Sequence, residues 1–176
     1  GLTEEPRMRT RLTAAREGFG LVGVLLAATL PSLLAADLSV GTTAIDTNAL
    51  ALSDASLTST GKTTLAVAGG TRLAGSALVA GTDLAVSAAS LLDTASASGM
   101  ANNNLRRAGG ALSLAVGDGA SLGATHWSAA GAWNGTFGNL VTTGATQLYS
   151  GNGTLIASAD KGDLALGLAA LQSAGN

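Results

Sequence analysis

Three short stretches of the chain carry residue types at spacings that other proteins use for chemistry. Ser56-Leu-Thr-Ser-Thr-Gly61-Lys62-Thr63 approximates a phosphate-binding loop, in which a glycine-rich backbone cradles phosphates and a lysine neutralises them. Ser56 stands where that loop needs its first glycine. The sequence then continues as TLAVAGG, an apolar alternation instead of a helix, so the stretch reads as a turn feeding a strand. Gly18-Phe-Gly20-Leu-Val-Gly23 satisfies the dinucleotide fingerprint letter by letter, with Asp37 downstream, but the charged LTAARE ahead of it is no buried strand. Gly119-Ala-Ser121-Leu-Gly123 has the spacing of a nucleophile elbow, which requires an acid and then a histidine later in the chain. The single histidine, His126, follows at once with no acid between, and a turn is the better reading.

Metal and acid–base sites are equally thinly supported. There is no cysteine, and the aspartates at 37, 46, 54, 83, 93, 118, 160 and 163 include no pair at the spacing of a zinc site or a calcium loop. No cofactor is expected. Carboxylates at matching phases of separate coils can still converge without a local motif, as in carbohydrate-active enzymes. Asp54, Asp83 and Asp163, each near a turn, keep such an enzyme as an alternative, against their reading as solvated turn residues. Arg106-Arg107 beside Asn102 to Asn104 reads as a polar loop. A net charge of −2 and 3% aromatic residues give no footprint for nucleic acid.

Three of the five aromatic residues gather in one irregular stretch, GATHWSAAGAWNGTFGN, from Gly123 to Asn139. His126, Trp127, Trp133 and Phe137 form a candidate ligand-contact loop, because flat aromatic faces on a raised loop stack on sugars or insert into a partner. The competing reading has Trp127 and Trp133 fill the core of a wider coil or cap the core of one rung. Asn134-Gly-Thr136 and Asn152-Gly-Thr154 match a glycosylation sequon, but Asn-Gly is first of all a turn signal.

The elements that would position these residues are built from small side chains. Glycine alone accounts for 25 of 176 residues and charged residues for 11%, so a bulky globular core is hard to assemble, while the apolar fraction of 47% is too high for a solvated disordered chain. From Asp37 onward a glycine turn followed by Leu, a small residue and a second apolar residue keeps returning, as in TGKTTLAV, AGTDLAV, AGGALSL, GNGTLIA and KGDLAL. Such alternation is a strand with one buried face, here at Leu50 and Leu52, Leu65 and Val67, Leu84 and Val86, Leu112 and Leu114, Leu155, and Leu164 and Leu166. Short strands of this kind suit a solenoid, whose narrow core takes one or two aliphatic side chains per strand and whose coils bury their faces only against neighbours. Residues 37–176 are therefore expected to form one repeat region. Residues 1–36 differ, with four arginines followed by the uncharged run from Gly18 to Ala36; they are expected to form an apolar helical segment serving as an export signal, a membrane helix or a cap.

The stretch from Leu57 to Ser98, LTSTGKTTLAVAGGTRLAGSALVAGTDLAVSAASLLDTASAS, resembles the repeat region of filamentous haemagglutinins, the large exoproteins of bacterial two-partner secretion. The phrase from Ala77 to Ala88, ALVAGTDLAVSA, carries the likeness most closely, and Arg107 to Ala115 and Lys161 to Leu166 extend it. The resemblance implies an all-β, right-handed parallel β-helix, exported through an outer-membrane transporter and displayed on the cell surface or secreted. It also implies a non-catalytic adhesin shaft whose partners are glycans or proteins of host or bacterial surfaces. Stalks of contact-dependent toxin-delivery exoproteins share these repeats and form the alternative. The Asn-Pro motifs of the family's secretion domain are missing here, so the segment is read as shaft.

Overall fold

The computed structural model describes residues 23–24, 33–34, 37–96 and 104–174. They form strands β1 (Gly23–Val24), β2 (Leu33–Leu34), β3 (Asp37–Val40), β4 (Thr43–Thr47), β5 (Leu50–Ser53), β6 (Ser56–Ser59), β7 (Thr63–Ala74), β8 (Ala77–Ala80) and β9 (Leu84–Thr94). The series continues with β10 (Leu105–Ala108), β11 (Leu112–Gly123), β12 (His126–Ala129), β13 (Trp133–Thr143), β14 (Thr146–Ser150), β15 (Leu155–Ala159), β16 (Leu164–Leu166) and β17 (Ala169–Ser173). Every pairing is parallel and joins equivalent strands of successive coils, so the chain is an all-β parallel solenoid.

Each coil has three sides. The long strands β7 and β11 change register at Val67/Gly70 and Val116/Gly119, and the two halves of β7 pair separately with β4 and β5. β13 pairs in the same way with β15 and β16. The third side is the short strand, stacked in a second sheet in the order β17-β14-β12-β10-β8-β6-β3. Thr43, Thr63, Leu84, Leu112, Trp133 and Leu155 lie above one another, so successive coils are 20, 21, 28, 21 and 22 residues long.

The corner between the second and third sides explains both the regularity and the exception. Most coils turn it in two residues, the first held in the left-handed region at Asp54 (φ 48°), Gly75 (φ 57°), Ala124 (φ 53°) and Gly144 (φ 65°). Glycine suits this conformation because it has no Cβ to clash. The 28-residue coil instead joins Thr94 to Leu105 through residues 95–104.

The core is a set of apolar columns. Leu65, Val86 and Leu114 are stacked register partners, as are Leu73 and Leu122 on either side of Asp93, and all are buried. A fully buried Leu or Val contributes about 1.5–3 kcal/mol. The alternation expected at positions 50–52, 65–67, 84–86 and 112–114 thus points inward. At the C-terminal end the columns emerge into solvent: Leu164 and Leu166 continue the columns of Leu140 and Thr142 yet are 40% and 39% exposed.

Of the apolar helical segment expected over residues 1–36, the structure describes Gly23–Val24 and Leu33–Leu34, and both are extended and paired in parallel with β4 and β5. The rest of that expectation lies outside the described residues. Among the described residues, no helix is long and apolar enough to cross a membrane.

Candidate functional site

The four residues of the expected ligand-contact loop do not share a loop. His126 and Trp127 open β12, and Trp133 and Phe137 lie in β13. Trp127, Trp133 and Phe137 are 0% exposed, so the competing core reading holds for the two tryptophans, and Phe137 joins them in the core. The reason is strand parity: each occupies an inward phase, Trp133 stacked on Leu112 and Phe137 on Val116. Gly135 between them makes this possible. An added Cβ there would lie 2.6 Å from the Trp133 ring and 2.7 Å from the Phe137 ring, in a position that the coil below fills with Leu114. Two large rings and a glycine thus replace three aliphatic side chains.

His126 is the member that faces outward, and it belongs to a different surface. The outward positions of β10, β12, β14 and β17 form two columns along the second sheet. One runs from Leu105 through His126 and Gln147 to Ala170, the other from Arg107 through Ser128 and Tyr149 to Gln172. A shallow trough of about 560 Å³ lies over them, lined by Arg107, His126, Ser128, Gln147, Tyr149 and Gln172 among others. Arg107, Gln147 and Gln172 are exposed, while His126, Ser128 and Tyr149 are half-buried. Parallel strands stack at about 4.8 Å, so these side chains form a ladder along the solenoid axis.

Directly beneath the ladder the same strands carry a buried ionic cluster. Arg106 and Asp93 are fully buried, and an Arg106 Nη2 donates to Asp93 Oδ1 at 2.6 Å. Trp127 Nε1 donates to Asp93 Oδ2 at 2.8 Å, and the Arg106 guanidinium lies 5.9 Å from the Trp127 ring centroid. Arg106 Nη1 also donates to the Ser76 carbonyl of the preceding coil. Burial pushes the Asp93 carboxyl above the usual aspartate range, opposed by the adjacent Arg106 charge and the hydrogen bond from Trp127. The same desolvation lowers the Arg106 guanidinium from its ordinary value. The cluster sits at the strand ends that bracket the extra length of the 28-residue coil, since Asp93 is next to the last residue of β9 and Arg106 the second of β10. It ties the end of β9 to the start of β10 and both to the Trp127 coil above.

In the sequence Arg106 reads as part of a polar loop, and Asp93 as one of several scattered carboxylates. The signal that identifies them is phase: Arg106 pairs with Leu78 and Trp127, and Asp93 with Leu73 and Leu122, all core positions.

Two of the three motif-like stretches resolve into ordinary solenoid parts, while residues 18–22 of the third, Gly18 to Gly23, lie outside the described residues. Thr60 to Lys62 form the turn between β6 and β7, and Ser121 lies within β11 instead of on a strand-to-helix elbow. Asp83 caps a turn by accepting from the Ala111 backbone N–H at 2.9 Å, and Asp118 pairs with Lys161 at 3.4 Å on the exposed surface. Among the described residues no three metal-ligating side chains come together. Comparison with known proteins finds no matching family model, curated protein or solved structure.

Proposed function

We propose that this chain is a non-catalytic shaft segment of a secreted bacterial surface adhesin of the filamentous haemagglutinin type, right-handed in its coiling. The observation that supports this reading is the in-register stacking of six successive coils around narrow apolar columns. Stacking of that kind extends in one direction only, because each coil buries its apolar face against its two neighbours and needs no central core. The product is a rod that projects, with side chains along its outer faces free to meet a partner. The likeness of Ala77 to Ala88 to the repeat phrase of that family agrees with the coil boundaries, since Ala77–Ala80 is β8 and Leu84 begins β9.

Immunolabelling of intact producing cells with antibodies to residues 37–174 tests the proposal. Surface label that disappears when the outer-membrane transporter is deleted is expected. Protein recovered wholly inside the cells would overturn it.

A further inference from the structure

We infer that the trough over β10, β12, β14 and β17 binds an extended acidic oligosaccharide lying along the solenoid axis. This deepens the adhesin reading and rests on it for the biological setting alone, because binding to the purified chain does not require export.

Four observations carry the inference. First, the outward side chains recur once per coil at about 4.8 Å. A pyranose unit is close to that length, so successive sugars of a linear polymer meet equivalent positions on successive coils. Second, β12 is hydrogen-bonded on both sides, to β10 and β14, and β14 likewise to β12 and β17. Neither β12 nor β14 therefore has a free backbone edge for an incoming peptide strand, which is how extended peptides gain most of their affinity on sheets, and β17, paired with β14 alone, carries the one open edge beside the trough. Over β12 and β14 recognition must come from side chains.

Third, those side chains match hydroxyl-rich chemistry. Gln147 and Gln172 each offer donors and an acceptor, the Tyr149 hydroxyl offers one of each, the Ser128 hydroxyl, which donates to the Arg106 carbonyl at 3.5 Å, can still accept, and the half-buried Tyr149 ring lines the trough as an aromatic surface of the kind sugar rings pack on. Fourth, the lining contains Arg107 and no carboxylate, on a chain whose net charge is −2. Arg107 is exposed and makes no ion pair among the described residues. Its planar fork is suited to a carboxylate, so the polymer that fits carries acidic groups. The buried Asp93–Arg106–Trp127 cluster fixes the backbone from which Arg107, His126 and Ser128 project, so the ladder is formed before a ligand arrives.

Isothermal titration of the whole chain tests this with a β-1,4-linked tetramer of uronic acid, the same tetramer as its methyl ester, and a tetrapeptide of glutamate. The acid tetramer should bind and the ester should bind about tenfold more weakly, the loss expected for a charge-assisted hydrogen bond. Arg107→Gln, at an exposed position, should leave the melting transition unchanged and abolish the preference for acid over ester. Tyr149→Ala should weaken both, and Asn134→Ala, exposed on the other sheet, should weaken neither. Absence of binding, equal binding of acid and ester, an Arg107→Gln variant that keeps the preference, or a glutamate peptide that binds as tightly as the sugar would each overturn the inference. A negative titration leaves the export test standing, and failed surface labelling leaves the titration result standing.

Discussion

Removing the buried cation at position 106 separates the two roles an ion pair can play in a narrow core. Asp93 and Arg106 occupy phases that adjoining coils fill with Leu73 and Leu122, and with Leu78 and Trp127. Arg106→Leu alone restores one apolar column but strands a carboxylate that is 0% exposed, and breaking a buried pair in this way costs about 3–5 kcal/mol. Adding Asp93→Leu removes the stranded charge. Exchange of a buried pair for apolar residues of similar volume ranges from neutral to about 4 kcal/mol stabilising. Against this stands Trp127 Nε1, which loses its acceptor at a cost of about 1–3 kcal/mol. The double variant should therefore fall within about 3 kcal/mol of the parent and above Arg106→Leu. Urea unfolding followed both by tryptophan fluorescence and by far-ultraviolet circular dichroism measures the cycle, two probes being needed because stacked coils can unfold piecemeal. Additive losses, with the double variant no more stable than Arg106→Leu, would refute the claim that the pair substitutes for two leucines.

Three further outcomes follow from the same geometry. Gly135→Leu should destabilise by about 1–3 kcal/mol through overpacking against Trp133 and Phe137, and Trp133→Leu in the same chain should recover part of the loss by recreating the Leu112–Leu114 pattern; thermal melts compare the two. Leu84→Ala should cost about 2–5 kcal/mol, whereas Leu164→Ala should cost less than about 1 kcal/mol because that side chain is already 40% exposed; urea midpoints distinguish them. Asp93 binds its proton more tightly in the folded chain than unfolded, so its contribution is fully present below its unfolded value near 3.8 and is lost as pH rises through the raised folded value; an unfolding series upward from pH 3.5 should show that decline, and the Asp93→Leu/Arg106→Leu chain should lack it.

The solenoid was legible in the sequence because its driving force is local and periodic. Leucine and valine doublets after glycine turns report strand parity directly, and Leu65 with Val67, Leu84 with Val86 and Leu112 with Leu114 all point inward as that parity requires. Parity failed to register where large or charged residues took an inward phase. Trp127 and Trp133 looked irregular because glycine and alanine around them hide the alternation, although aligning each coil on its leading residue places Trp133 over Leu112. Arg106 looked solvated because one arginine follows another, and only their opposite phases separate the buried residue from Arg107 on the outer face. The outer ladder was less legible still. Arg107, Ser128, Tyr149 and Gln172 are spread over coils of unequal length and become neighbours only through sheet register.

The 28-residue coil bears on how such a rod gains new parts. Closing a chain segment costs entropy that grows only as the logarithm of its length, so lengthening a coil from 21 to 28 residues adds about 0.3 kcal/mol. The added chain length between β9 and β10 is therefore nearly free as far as closure is concerned. The energetic demand falls on the strand ends on either side of the added residues, which here are held by Asp93 and Arg106. An appendage of almost any length could hang from such a coil without altering the pitch of the stack, provided a cross-brace of this kind closes its neck.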